Sequence, residues 1–316
     1  GFPYLDVCLN GVPAEGIFIC VPGKPNQGKS TLLDNLAWRF AESNDDCIVF
    51  LHSVDDSLAQ RLPRLMASKF NIPSEYFKKA GYYLENVPFD CPKFPEIYRE
   101  ATAWLNNLID NEKLILADVS MLSKNLIGLE SWIKGIRQRF PKKKLVFMGD
   151  NFHLYELPGY KKDPEGLKEM SSFIKMMTNK YEAVGIFTME LPKESLKPGV
   201  RPKIQNIKGS GGMAYDGNVN FGVYNDLKDM KERSDVFWQD PSDMELKTTG
   251  DGTEVSVPKR KPIIEVVIDK SKISSFDGSV FFRMDPVSGR MDECSIIEQE
   301  MFVQKLATSA SKKQEY

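Results

Sequence analysis

Eight consecutive residues, Gly23-Lys24-Pro25-Asn26-Gln27-Gly28-Lys29-Ser30, have the types and spacing needed to hold a polyphosphate. In a G-x-x-x-x-G-K-[ST] string each fixed position has a task. Gly23 and Gly28 let the chain curl so that backbone N–H groups face phosphate oxygens, at a helix start that already favours anions. Lys29 brings a point charge to the β- and γ-phosphates, and the Ser30 hydroxyl suits Mg2+. Lys24, Pro25, Asn26, Gln27 and Thr31 complete the candidate loop. The implied ligand is ATP or another nucleoside triphosphate, with Mg2+.

Such a loop works only between a strand and a helix, and the neighbouring sequence supplies both. Gly16–Pro22 is a short apolar run bounded by Gly and Pro, the pattern of a buried strand. From Lys29 to Glu42, Leu32, Leu33, Leu36, Ala37 and Phe40 recur at helical spacing, with Asp34 and Asn35 off that face. Further strands are expected at Cys47–Leu51, Leu114–Ala117, Leu145–Met148, Ala183–Thr188 and Val219–Tyr224. Amphipathic stretches at Ser57–Phe70, Pro95–Asp110, Leu126–Phe140 and Pro164–Lys180 lie between them. Strands alternating with helices predict an α/β fold with a mainly parallel central sheet flanked by helices.

The last third changes character. Leu227–Pro262 lacks sustained periodicity and reads as a mobile insertion. Ile263–Asp269 and Ser279–Met284, with a tight turn at Asp285–Arg290, predict an antiparallel C-terminal extension. The expected domain is residues 1–306, with 307–316 as a disordered polar tail.

The 316 residues carry 41% hydrophobic and 27% charged side chains, the balance of a folded globular chain. No apolar run approaches the ~20 residues of a membrane span, and no signal-like N-terminus is present. A cytoplasmic location, in a bacterial or phage-infected cell, is therefore expected. The five scattered cysteines form no C-x-x-C pair. A formal net charge of −2 means that any nucleic-acid contact must come from a local patch.

Magnesium in this kind of site takes a carboxylate at the end of a second strand. Asp150, after Leu145–Gly149, fits best, and Asp118, after Leu114–Ala117, competes. Hydrolysis also needs a group to orient water, and Asp55 and Asp56 follow the Cys47–Leu51 strand. Their alternative is to cap the helix beginning near Ser57.

Taken in order, these stretches resemble the RecA-like motor domain of DnaB-like replicative helicases, including bacteriophage primase-helicases. The resemblance rests on Asn10–Gly16 running through the phosphate loop to Phe40, and on FLHSVDDS at Phe50–Ser57. It continues with Asp150-Asn151-Phe152-His153, Arg201–Gly211 with Asp216–Asp226, and Asp269–Lys272 with the hairpin Phe281–Met291. It implies a RecA-like P-loop NTPase, with Asp55 as catalytic acid, Asp150 favoured over Asp118 for the metal, and His153 as γ-phosphate sensor. Lys270 and Lys272 stand where such helicases project a basic pair toward the neighbouring subunit's nucleotide.

Three positions depart from the pattern. Asp55 replaces a glutamate, Lys272 replaces an arginine finger, for which Arg283 or Arg290 are substitutes, and Glu190 replaces a frequent glutamine. Lysine lacks the planar fork with which arginine grips phosphate oxygens.

Two loops after strand ends are candidates to face single-stranded DNA: Pro158–Lys162, with Lys161 and Lys162, and Leu191–Met213, with Lys193, Lys197, Arg201, Lys203 and Lys208. The expectation is an NTP-driven DNA helicase acting as a homo-oligomeric ring of probable hexameric order, with primase or other replisome proteins as partners. The alternatives are a RecA- or KaiC-like DNA-dependent ATPase that does not unwind, and a nucleotide-binding assembly subunit with little turnover. No primase or loader-binding domain is evident before the motor, so the string reads as a fragment of a longer protein or as a minimal motor.

Overall fold

The computed structural model describes residues 1–191, 197–207, 210–248 and 252–312. Six strands, β1 (Ile17–Gly23), β2 (Cys47–Ser53), β3 (Leu114–Asp118), β4 (Lys144–Asp150), β5 (Ala183–Glu190) and β6 (Val219–Asn220), form an all-parallel sheet ordered β3-β2-β4-β5-β1-β6. Because side chains alternate across a strand, its two faces feed separate cores. Ile17, Ile19, Val21, Val49 and Leu51 enter one core, and Phe18, Cys20, Ile48 and Phe50 enter the other.

The helices are α1 (Pro3–Leu9), α2 (Lys29–Ser43), α3 (Leu58–Phe70), α4 (Ser74–Lys78), α5 (Ala80–Glu85), α6 (Phe94–Asp110), α7 (Leu126–Arg139), α8 (Pro164–Lys180), α9 (Ser210–Asp216), α10 (Asp226–Met230) and α11 (Ile296–Lys312). The first core takes α2, α3 and α6, and the second takes α7 and α8. The fold is RecA-like α/β, as expected.

A second sheet, β11-β10-β9-β7, is antiparallel and joins β7 (Gly222–Asn225), β9 (Glu254–Ile268), β10 (Gly278–Met284) and β11 (Met291–Glu293). The run predicted as one strand over Val219–Tyr224 divides at Phe221 into β6 of the first sheet and β7 of the second. The crossing brings Gly222 so close to Pro202 that a Cβ would lie 2.4 Å from its carbonyl oxygen. β8 (Phe237–Thr248) pairs with β9.

Leu227–Pro262, expected to lack periodic structure, is therefore largely a two-stranded ribbon. Met244 and Leu246 are exposed, so backbone pairing holds the distal ribbon without the apolar alternation that would reveal a strand. α11 continues to Lys312, into the stretch expected to be disordered; residues 313–316 lie outside the described residues.

Candidate functional site

The phosphate loop joins the end of β1 to the start of α2, the arrangement its sequence requires. Gly28 has φ +100° and Asn26 +61°, left-handed values that turn backbone N–H groups inward. Gly23 passes the β7 backbone so closely that a Cβ would sit 2.8 Å from the Val223 carbonyl oxygen. Outside contacts hold the loop open. Lys24 Nζ lies 3.0 Å from Asp229 Oδ1, and the Asn225 N–H donates to Gln27 Oε1 at 2.5 Å.

Lys29 is buried and donates from Nζ to the Lys24 carbonyl at 3.0 Å. Burial pushes its pKa down, against the pull of Glu190, Asp150 and Asp55. A polyphosphate in the loop would offer the ammonium a better partner than that carbonyl. The loop thus fits a nucleotide.

Asp150, at the end of β4, is almost fully buried. It accepts hydrogen bonds from Thr188 Oγ1 (2.5 Å), from Arg61 (2.9 Å) and from the Ser30 hydroxyl. Burial raises its pKa, but Arg61, Thr188 and Ser30 outweigh this and hold it below the usual value. The following peptide, Asp150–Asn151, is cis. Asp118 has other work: it accepts from the Leu58 N–H (2.8 Å), at the start of α3, and from the Ser120 hydroxyl (2.5 Å). Only Asp150 shares a hydrogen bond with the phosphate loop.

Among the described residues no group of three or more His, Cys, Asp or Glu side chains could hold a metal. Ser30 and Asp150 fit the way Mg2+ is held beside nucleotides, by one or two protein oxygens with phosphate and water.

Arg61 escaped the sequence reading. Its guanidinium is fully buried and binds Asp34 (2.7 Å from Nε), Ser53 (3.0 Å) and Asp150. Burial opposes its charge, yet Asp34 and Asp150 keep it protonated. The available signal was a charged residue in register with the buried Leu65 and Ser68, at i+4 and i+7.

Asp34 and Asn35, expected off the buried face of α2, are both buried, because the second sheet covers the side of α2 that a two-layer reading leaves open. Asn35 bonds the Gly289 carbonyl (2.9 Å) and the Met291 N–H (3.0 Å), while Asp34 answers Arg61.

Asp55 is exposed beside Asp150, since the Val54 and Asp55 N–H groups both donate to the Asp150 carbonyl, at 2.8 and 3.2 Å. Burial, then Asp56, Asp150 and Glu190, push its pKa up. Asp56 pairs with Arg64 at 2.7 Å. Neither acid caps α3: Gln60 Oε1 accepts the Ser57 N–H and Asp118 the Leu58 N–H.

His153 Nδ1 accepts the Glu190 N–H at 3.3 Å, linking the ends of β4 and β5. Lys270 donates to the Ala214 carbonyl, and Lys272 to that of Tyr215 at 2.9 Å, with its ammonium 5.7 Å from the Tyr215 ring centre. Both stand beside β6, and their contacts are with α9 rather than with the phosphate loop. Arg283 pairs with Glu298, and Arg290 with Asp292 at 2.7 Å.

Lys161, Lys162, Lys197 and Lys203 are exposed. Lys162 Nζ also donates to the Leu154 carbonyl at 3.1 Å. Arg201 differs: it pairs with buried Glu265 at 2.9 Å and lies 4.5 Å over the Tyr224 ring, so its charge is engaged within the chain. Lys193 and Lys208 lie outside the described residues.

A parallel sheet with its phosphate loop, strand-end carboxylates and antiparallel annex is the architecture of a RecA-like P-loop ATPase domain. Among solved structures the chain is similar to the ATPase domain of a DnaB-like helicase, with TM-score 0.73 and 18% identity over 93% of this chain and 90% of that one. It is equally similar, at TM-score 0.73 and 18% identity, to a DnaB-like replicative helicase solved to show its interactions with primase, covering 93% of this chain but 63% of that one. No protein-family model and no curated protein matches the sequence.

Proposed function

We propose that this chain is the motor domain of a DnaB-like replicative DNA helicase, hydrolysing ATP or another nucleoside triphosphate to move along single-stranded DNA as a ring. The observation that carries this reading is the meeting of Ser30, Asp150 and Asp55 beside buried Lys29 at the carboxyl ends of β1, β4 and β2. Phosphate-binding, metal-binding and water-orienting groups are thereby gathered at one edge of the sheet.

In this mechanism the curled backbone of Gly23–Gly28 and the start of α2 bind the β- and γ-phosphates. Lys29 turns from the Lys24 carbonyl to the phosphate oxygens. Ser30 and Asp150 hold Mg2+, which when bound neutralises charge developing on the phosphates. Asp55 orients the attacking water and receives its proton, which its raised pKa favours. His153 contacts the γ-phosphate and passes its presence to β5 through the Glu190 N–H.

In a hexameric ring Lys270 and Lys272 would leave the Ala214 and Tyr215 carbonyls for the neighbouring subunit's nucleotide. Lys161, Lys162, Lys197 and Lys203 would follow the DNA backbone, with Lys193 and Lys208 assigned the same role from sequence and Arg201 shaping the loop. Residues 1–306 form the motor, a primase is the first replisome partner to test, and the setting is the cytoplasm of a bacterial or phage-infected cell.

The test combines ATP turnover with and without single-stranded DNA, unwinding of a forked duplex, and particle mass with a non-hydrolysable nucleotide. DNA-stimulated turnover, fork unwinding and a closed ring are expected. Stimulated turnover without unwinding overturns the helicase assignment in favour of a RecA- or KaiC-like ATPase. Nucleotide binding without turnover points instead to an assembly subunit, which a shortened Asp55 and a Lys272 held at home would suit.

A further inference from the structure

We propose that Asp229 couples the phosphate loop to the segment 197–207, one carboxylate holding both, so that nucleotide occupancy changes how that segment is anchored. The inference rests on the nucleotide-binding part of the reading above and is independent of whether the chain unwinds DNA.

Asp229 lies in α10, just after β7, and its two oxygens face different parts of the molecule. Oδ1 takes Lys24 Nζ at 3.0 Å, whereas Oδ2 accepts the Gly199 N–H at 2.9 Å and the Tyr224 hydroxyl at 3.0 Å. Both members of the ion pair are sheltered, with Lys24 14% and Asp229 11% exposed. The bonds on the carboxylate outweigh its burial and keep it ionised. An ion pair in such shelter feels a nearby charge far more than one in open water does.

Each side of the carboxylate bears on something that moves. Lys24 belongs to the phosphate loop, and its carbonyl is the resting partner of Lys29 Nζ. When phosphates draw Lys29 away, that carbonyl loses its ammonium, and several negative charges arrive on the loop side of Lys24. The Lys24 ammonium is then shared between phosphate and Asp229.

On the other side, Gly199 sits at φ +83° in the turn closed by the Val200 N–H on the Lys197 carbonyl. Its bond to Asp229 fixes where Lys197 stands. Arg201, two residues on, is held by Glu265 and lies over the ring whose hydroxyl also bonds Asp229. A loosened Lys24–Asp229 pair therefore changes the hold on the exposed lysines of this loop through a continuous set of hydrogen bonds. Coupling energies between linked sites commonly correspond to about 5- to 150-fold changes in affinity.

The test is hydrogen exchange of residues 197–207 in the full chain, with and without a non-hydrolysable ATP analogue and Mg2+, for wild type and Asp229→Asn. Asparagine keeps the shape and an oxygen for Gly199 and Tyr224 but loses the ion pair. In wild type the analogue should change exchange around Gly199 by at least about fivefold, the lower end of that range. In Asp229→Asn at saturating analogue the change should fall below about twofold, a level at which no coupling of that size remains.

Lys24→Met removes the same pair from the loop side and should silence the response as well. An undiminished response in either variant overturns the coupling. Wild-type protein that binds the analogue with no change at 197–207 overturns the coupling alone, whereas protein that binds no analogue overturns the phosphate-loop reading and the coupling with it.

Discussion

Around the phosphate loop, charges are buried and answered within the chain; on the loops assigned to DNA and to the neighbouring subunit, they are exposed or rest on backbone carbonyls. Arg61 binds Asp34 and Asp150 with no exposure to solvent, while Lys161, Lys197 and Lys203 stand in water. A buried charge must be met in the folded monomer, because leaving it unmet costs several kcal/mol. An exposed lysine loses nothing by waiting for a partner. One region is finished by folding, and the other is designed for completion by a second molecule.

The largest effect is expected where that contrast is sharpest. Arg61→Met leaves Asp34 and Asp150 buried without their cation and should cost about 3–5 kcal/mol, read from urea unfolding. Removing one carboxylate beforehand, as Asp34→Asn, should shrink the penalty. A loss under about 1 kcal/mol, the scale of an exposed pair, would mean that the cluster behaves as surface ion pairs do.

Lys29→Ala should lower nucleotide turnover by at least about 100-fold, the scale of losing one preorganised group that stabilises transition-state charge. Turnover at the wild-type rate would remove the loop from the mechanism. Asp55→Asn should cost about 100-fold as well, at the lower end for a lost general base. Asp55 acts as the carboxylate, so wild-type turnover should fall as pH drops through its raised pKa, with the acid limb above the ordinary value of 3.8. In Asp55→Asn that limb should vanish, and a limb that persists unchanged would assign it to another group.

The sequence made the first region's loop and strands legible because a buried parallel strand is a continuous apolar run and the phosphate loop is a local motif. It left Arg61 hidden, since its partners Asp34 and Asp150 lie 27 and 89 residues away and nothing local distinguishes it from a surface arginine. Asn35 was misplaced for a related reason: its acceptor at Gly289 is 254 residues distant, on a sheet that α2 does not announce. The ribbon of β8 and β9 was missed because its distal half is exposed and carries no burial pattern. Arg201 read as one more basic loop residue until Glu265, 64 positions on, showed it to be a structural cation.

That last distinction sets the smallest and most discriminating effect. If Lys161, Lys162, Lys197 and Lys203 each meet a DNA phosphate, every single Lys→Ala change should lower the slope of log affinity against log salt by roughly 0.7 on a single strand. Between 50 and 200 mM salt that amounts to about a threefold smaller loss of affinity per lysine. Arg201→Ala should leave the slope unchanged and instead lower stability, because Glu265 then remains buried without its partner. Fluorescence titration of a labelled oligonucleotide at several salt concentrations, beside a melting curve for each variant, separates the two classes. A slope that falls with Arg201 and not with the lysines would reverse the assignment and make Arg201 the residue that leaves its intrachain partner for the DNA.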